Sequence, residues 1–580
     1  MIAPALLLAA LAPLPVVSTP AVGDHLALHP EEASFAICIP DVPAMIEAYG
    51  GTAWARLLAE PEMEGALALL EGELGGMQLE SALGLTGQPW SELLDSVRAV
   101  SISGPSMEEA FELFGALASP MGGLPSAKAL LLLEAADEAA AQALSAAIRE
   151  QMGAMAADAP GGWVAATDGG PELRCAIRGG LLELGLGGSV ATPEGARSSA
   201  ARFEAREGTV IMEARLAPQW EMAPGRGDLL QTLGEGFMGP WFTMASRGGD
   251  WRVVLDGDRF HTDGRFLASE GARVLGGKPL EGPSLPSMEG AAVQMSYSVD
   301  PNGLARLLGV DGMAGPEAEA IKGLVSTMAG RLDISMSNKV SVLSAPPILV
   351  TAPVEDEGAA GAGLAALMGM MEQQLMGAAT VSQKPYRKVP IYTLAATEGV
   401  DLPLELPLPI DLAGLVKPSF AVAEGQLMIS TNASQLKRAI RARGKEAKGT
   451  YAVREGSGLA TQEDWMEVLA SVYDGVLGLV GGLMGGMAAS LEEFDAEMPA
   501  NPLDALPSSD LLRKHFRPAS RWRRLEGETV RYHSESSFGP EFLAVIPAAA
   551  FMTLGVESTV EEPMVLEDEL FMEPDGSGGR

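Results

Sequence analysis

Trp251-Arg252-Val253-Val254-Leu255-Asp256-Gly257-Asp258-Arg259-Phe260-His261-Thr262-Asp263 reads as strand, acidic-glycine turn, strand. Trp522-Arg523-Arg524-Leu525-Glu526-Gly527-Glu528, leading into Arg531-Tyr532-His533-Ser534-Glu535, reads the same way. The Asp-Gly step is a strong hairpin signal, because glycine takes the positive φ that tight turns require. Matching the tryptophans and the histidines suggests that one hairpin occurs twice, late in each half of the chain.

Three more pairs occur in the same order in the two halves. Cys175-Ala176-Ile177-Arg178-Gly179-Gly180-Leu181-Leu182-Glu183-Leu184 matches Phe420-Ala421-Val422-Ala423-Glu424-Gly425-Gln426-Leu427-Met428-Ile429 as a second hairpin. Leu130 to Glu134 enters a helix at Asp137 to Met152, and Ile348 to Thr351 enters one at Asp356 to Met376. Phe35-Ala36-Ile37-Cys38 precedes a helix near Pro43 to Ile46, and Val293-Gln294-Met295-Ser296 precedes one near Pro301 to Leu304. Mixed strands, hairpins and helices predict an α+β fold. The expectation is two internally duplicated units, each a mixed or antiparallel sheet with packed helices. They occupy residues 24–275 and 289–540, joined by a Gly/Pro-rich linker at 276–288.

The ends of the chain carry other signals. Ile2 to Val17 is nearly all apolar, interrupted by Pro4, Pro13 and Pro15, and is followed by the small residues Ala21-Val22-Gly23. The run is shorter than the roughly 20 residues of a spanning helix, so residues 1–23 read as a signal peptide. The mature chain is expected outside the cytoplasm, periplasmic or secreted. The runs at 475–490 and 541–556 are apolar and too short to span, and read as core; no membrane-spanning helix is expected in the mature chain. Residues 557–580 form an acidic tail, read as solvated and disordered.

The export signal, the repeated strand–helix–hairpin unit and the stretch Leu427-Met428-Ile429-Ser430-Thr431 with Ser434-Gln435-Leu436-Lys437-Arg438-Ala439-Ile440 resemble a group of large exported bacterial proteins of unknown function. The resemblance implies an extracytoplasmic location and no particular active-site residue.

The 580 residues carry a net charge of −36, which argues against nucleic acid as a partner. Metal motifs are absent among the five histidines; His25 and His29, four apart, offer only a weak site, so neither a metal nor a cofactor is expected. Cys38 and Cys175 lie on expected strands and pair only if those strands adjoin. Ser434 and Lys437 fit S-x-x-K, a serine-hydrolase pattern that is also satisfied by an ordinary helix start. Two features remain as binding candidates. One is the basic cluster Arg513, Lys514, His515, Arg517, Arg521, Trp522, Arg523 and Arg524; its rival reading is a charged sheet edge. The other is the repeated pair His261 and His533. No catalytic residue is assigned. The expected function is an exported, non-enzymatic binding or structural protein with an unknown protein or apolar ligand as partner. The alternatives are a lipid carrier, for which the 29 methionines suit irregular apolar partners, and a serine hydrolase using Ser434 and Lys437. Oligomeric state is left open.

Overall fold

The computed structural model describes residues 25–30, 33–63, 96–105, 128–166, 171–189, 191, 203–204, 206–218, 226–281, 290–310, 315–338, 347–374, 379–396, 417–442, 454–471, 473–474 and 508–539. The expectations for residues 1–23, 475–490, 541–556 and 557–580 lie outside the described residues.

Among the described residues, twenty strands form one sheet. The first ten are β1 (Phe35–Ile39), β2 (Val97–Gly104), β3 (Ala129–Ala135), β4 (Ala156–Ala159), β5 (Gly162–Ala166), β6 (Glu172–Arg178), β7 (Leu181–Leu186), β8 (Thr209–Leu216), β9 (Gly249–Asp256) and β10 (Arg259–Leu267). The second ten are β11 (Ala291–Ser298), β12 (Arg331–Ser337), β13 (Ile348–Pro353), β14 (Ala379–Tyr386), β15 (Val389–Ala396), β16 (Ser419–Ala423), β17 (Gln426–Ser430), β18 (Leu459–Glu463), β19 (Ala519–Glu526) and β20 (Thr529–Ser536). Following the pairings from one edge gives β4-β5-β6-β7-β3-β2-β1-β8-β9-β10. The path crosses to β20 and continues β19-β18-β11-β12-β13-β17-β16-β15-β14. Every pairing is antiparallel.

The expectation of two duplicated α+β units is therefore corrected: one continuous antiparallel sheet runs through both halves. The physical reason is the β10–β20 seam. Left alone, each of these strands would expose a row of unpaired backbone groups, an edge prone to pairing with another chain. Here the two edges satisfy each other along eight residue pairs, from Phe260↔Ser536 to Leu267↔Thr529.

The α-helices of the described residues are α1 (Val42–Tyr49), α2 (Ala53–Leu58), α3 (Glu138–Met152), α4 (Arg226–Arg247), α5 (Glu270–Val274), α6 (Pro301–Leu307), α7 (Pro316–Ser326), α8 (Glu357–Gln374), α9 (Ala433–Ala442) and α10 (Ser509–His515). Local chemistry sets their starts. Asp41, Asp137 and Asp300 each accept a backbone N–H from the first turn, and Pro43 and Pro301 stand where a missing N–H costs nothing. The α3 residues Ala141, Leu144, Ile148 and Met152 pack with Leu131, Trp163, Leu182 and Leu184 of the sheet. That core crosses the seam: Val530 and Tyr532 belong to it, and Trp251 stacks on Phe266 and meets Tyr532 edge-on at 5.4 Å. Gly264 lies directly under the Trp251 ring, where a Cβ would collide with it.

The segment expected to be a linker is docked where it is described. Gly276 N–H donates to Ser298 O, Leu280 N–H to Ser457 O, and Ser298 Oγ to Lys278 O. Cys38 on β1 and Cys175 on β6 are buried and form no disulfide. Strands β7, β3 and β2 separate them, so at about 4.8 Å per strand they lie far beyond disulfide reach. Burial pushes the Cys175 thiol up to about 11.

Candidate functional site

Alternation along the seam strands sorts side chains onto two faces, because successive residues of a strand point opposite ways. Trp251, Phe260, Tyr532, Ser534, Arg521 and Arg523 face the core. Arg252, His261, Asp263, Arg531, His533, Trp522 and Arg524 face the other side.

On the core face, charge is buried and paired. Glu235 of α4 accepts from both Arg247 Nε and Arg523 Nη1, the latter at 2.8 Å. Arg247 also donates to Asp228 at 2.8 Å and to Thr232 Oγ1 at 2.8 Å. Arg521 donates to Glu463 and to the Glu235 carbonyl, and Arg523 to the Leu275 carbonyl. Trp465 Nε1 and Thr461 Oγ1 complete the shell of Glu463. Burial raises the Glu235 pKa despite its two guanidinium partners. Burial disfavours the Arg521 charge, yet Glu463 outweighs it and raises the pKa. A cavity of about 20 Å³ beside Arg521, Glu463 and Ser534 has room for a single water. This network ties α4 to β18 and β19 beside the seam, and its charged groups are buried.

The outward face is different. His533 Nδ1 lies 2.9 Å from Asp263 Oδ1, directly across the strand pairing. Arg206 Nη1 donates to His261 Nδ1 at 2.8 Å, and its Nε lies 3.6 Å from Asp263 Oδ2. Arg206 Nη2 also lies 3.4 Å from His533 Nδ1. That nitrogen cannot both donate to Asp263 and accept from Arg206, and the shorter contact to a carboxylate assigns it as the donor. The two imidazoles are stacked at 5.8 Å, and Trp522 lies 5.4 Å from His533. Arg454 covers the Trp522 ring at 4.5 Å, with Arg531 near it at 5.8 Å. Arg531 pairs with Glu204 at 2.8 Å. Burial opposes ionisation of Asp263, but His533, Arg206 and Arg531 outweigh it and hold its carboxyl below the usual range. Burial, then Arg206, lowers the pKa of His261. Beside this cluster opens a cleft of about 270 Å³ lined by Phe203, Glu204, Asp263, Arg265, Glu526 and Arg531, among others.

The sequence-predicted residues fall into four groups. Arg521 and Arg523 are core ion pairs. Trp522 and His533 join His261 on the outward face. Arg524 pairs locally with Glu526 at 2.9 Å. Arg513, Lys514, His515 and Arg517 instead tie α10 and its C-terminal flank to acids. Arg513 bonds Glu467 at 2.8 Å, Lys514 and His515 bond Glu60 at 2.6 and 2.8 Å, and Arg517 lies 3.9 Å from Asp258. The hydrogen bonds from Lys514 and then His515 lower the Glu60 pKa.

Aligned on their turn glycines, Gly257 and Gly527, the two hairpins place His261 level with Arg531 and Asp263 level with His533. The two histidines therefore meet through strand pairing across the seam and fall two residues apart in the hairpin frame. Asp263 closes the repeated hairpin motif but carries no sign there of its partner; Glu235, Arg206 and Arg454 stand in no motif and are not legible in the sequence.

Other candidates resolve plainly. His29 sits on the outer face of β2, its two ring nitrogens each 2.7 Å from Ser103 Oγ and Ser101 Oγ; all three side chains are buried and out of substrate reach. His25 pairs with Glu134 at 2.6 Å, so the two N-terminal histidines hold different partners. Ser434 is exposed on α9, whose start is capped by Asn432 accepting from Gln435 N–H. Among the described residues no group of three or more His, Cys, Asp or Glu is placed to hold a metal, and no helix is long and apolar enough to cross a membrane. Comparison with protein-family models, with curated proteins and with solved structures finds no match to this chain.

Proposed function

We propose that the chain is an exported, non-catalytic binding protein whose working surface is the outward face of the β10–β20 seam. The observation that carries this reading is the cleft beside the Asp263–His533 pair. It is open and polar, and it presents Arg265 and Arg531 together with Glu204, Asp263 and Glu526. At about 270 Å³ it is slightly smaller than the range of drug-sized pockets. It suits a compact group carrying both charges, such as an amino-acid-sized zwitterion or one polar side chain of a protein partner. The continuous sheet beneath supplies a rigid platform. Export rests on the apolar run Ile2 to Val17 and the small residues that follow it.

A native mass spectrum of the protein purified from its own cells tests both parts. The expected result is loss of residues 1–23 and a small polar adduct that leaves on activation and is missing from Arg531→Gln. A retained Met1 would argue against a cleaved signal. An acyl-chain adduct that survives Arg531→Gln would favour the lipid-carrier reading. In that case α8 is the place to look, since the middle of its solvent side, between Glu357 and Glu372, shows Ala362, Ala365, Ala366 and Gly369 and no charge.

A further inference from the structure

The far edge of the sheet carries a surface unlike the rest of this acidic chain. Strands β14 and β15 form a two-stranded finger, and β15 pairs with β16 only through Tyr392 and Thr393. Residues from Lys384 to Pro390 therefore have no backbone pairing with the next strand, while Ile391 anchors the base of the finger against Ala421 and Met428. Three cations crowd the tip: Lys384, Arg387 and Lys388, all exposed. Against the finger lies α9, anchored by Leu436 and Ile440, which pack with Ile391, Ala421, Met428, Tyr386 and Val389. Its Ser434, Lys437, Arg438 and Arg441 recur at helical spacing and form one polar stripe. Lys437 Nζ sits 5.9 Å from the Tyr386 ring centre, and the Arg387 guanidinium lies at the same distance, which joins finger and helix into one basic, aromatic surface.

Three features separate this patch from an ordinary solvated face. First, the described residues give none of these six cations a carboxylate partner, whereas Arg513, Lys514 and Arg524 all have one. No acid occurs in residues 379–396 or 426–442, within a chain of net charge −36. Second, Arg387 and Lys388 are the two central residues of the turn, with φ of 50° and 69°. A turn with positive φ at both positions is best served by Asn-Gly; side chains with a Cβ are held there under strain. Two cations thus occupy the tip positions that the backbone disfavours. Third, the opposite edge of the sheet lacks the pattern: the β4–β5 finger carries Asp158 beside Pro160-Gly161 at its tip and no cation in residues 156–166.

We propose that the β14–β15 finger and the α9 stripe dock the protein onto an anionic lipid surface. A flat anionic surface requires no groove, and this patch is a projecting finger with a helix behind it. Tyr386, flanked by exposed Pro385 and Pro390, is an amphipathic side chain suited to the headgroup level. Lysine and arginine supply the attraction, and the chain's net negative charge elsewhere is repelled, so the protein binds end-on. This inference does not depend on the seam cleft.

The test is co-sedimentation of the full mature chain with vesicles of phosphatidylcholine alone or mixed with phosphatidylglycerol, at low and high salt. The structure predicts binding to the mixed vesicles at low salt, release at high salt and none to phosphatidylcholine. Arg387→Asn with Lys388→Gly removes two cations while giving the turn its preferred residues, so the finger keeps its fold. It is expected to weaken binding roughly thirty-fold. Arg438→Gln with Arg441→Gln, both on the exposed side of α9, should act similarly. Equal binding by all variants, or no binding to mixed vesicles, would overturn the proposal. Capture of soluble polyglutamate in place of vesicles would overturn it in favour of an acidic macromolecule.

Discussion

Replacing Glu235 by leucine is expected to destabilise the protein by about 3–5 kcal/mol, the range seen when one partner of a buried ion pair is removed. Glu235 is the shared acid of two buried guanidiniums. In Glu235→Leu, Arg247 still has Asp228 and Thr232. Among the described residues Arg523 then keeps only the Leu275 carbonyl, a charge at 1 % exposure whose ion-pair acid is gone. The second substitution Arg523→Met removes that stranded charge and should recover most of the loss, since apolar residues of similar volume often replace a buried pair at little cost. Urea midpoints of the single and double variants check this. An unchanged midpoint in Glu235→Leu would mean that the network does not hold the seam.

Acidification is expected to destabilise the molecule through His29. Burial, aided by Arg215 and then His25, drives its pKa down to about 3 from 6.5. The folded state therefore holds His29 neutral, while the unfolded chain takes up a proton below pH 6.5. The contribution of His29 is fully present above pH 6.5 and is lost progressively as pH falls toward 3. Between pH 6.5 and about 5 the loss is roughly 2 kcal/mol, and over the whole window about 5 kcal/mol. His29→Gln can still bond Ser101 and Ser103 but does not titrate. Its stability should be flatter with pH than the wild type across this window, by up to one proton's slope. Parallel curves would show that His29 is not the acid-sensitive group.

Local features were legible in the sequence. The turns at Gly257 and Gly527, the β6–β7 and β16–β17 hairpins and the helices that follow β3 and β13 all carry glycine, alternation or capping signals. The β14–β15 finger was missed because its turn residues, Arg387 and Lys388, are not turn formers by composition. The seam was missed for a different reason. Pairing of β10 with β20 joins residues some 270 positions apart, and nothing local encodes it. The basic cluster shows the same limit. Arg521, Trp522, Arg523 and Arg524 are neighbours in sequence, but strand alternation sends Arg521 and Arg523 into the core and Trp522 and Arg524 outward. The acids that explain the buried pair, Glu463 and Glu235, lie 58 and 288 residues away.

The central claim is that both halves share one sheet through β10 and β20. Spin labels on Leu267→Cys and Thr529→Cys test it most directly, since these residues are paired at the rim of the seam and Leu267 is 77 % exposed. The native Cys38 and Cys175 are buried and so shielded from the label, and the Cys175 thiol, held near 11, stays protonated at neutral pH. Directly opposed strand residues lie about 4.5–5.5 Å apart between Cα atoms. The account predicts strong dipolar broadening in the doubly labelled protein. A spectrum equal to the sum of the two singly labelled proteins would contradict it and would mean that the halves fold as separate sheets.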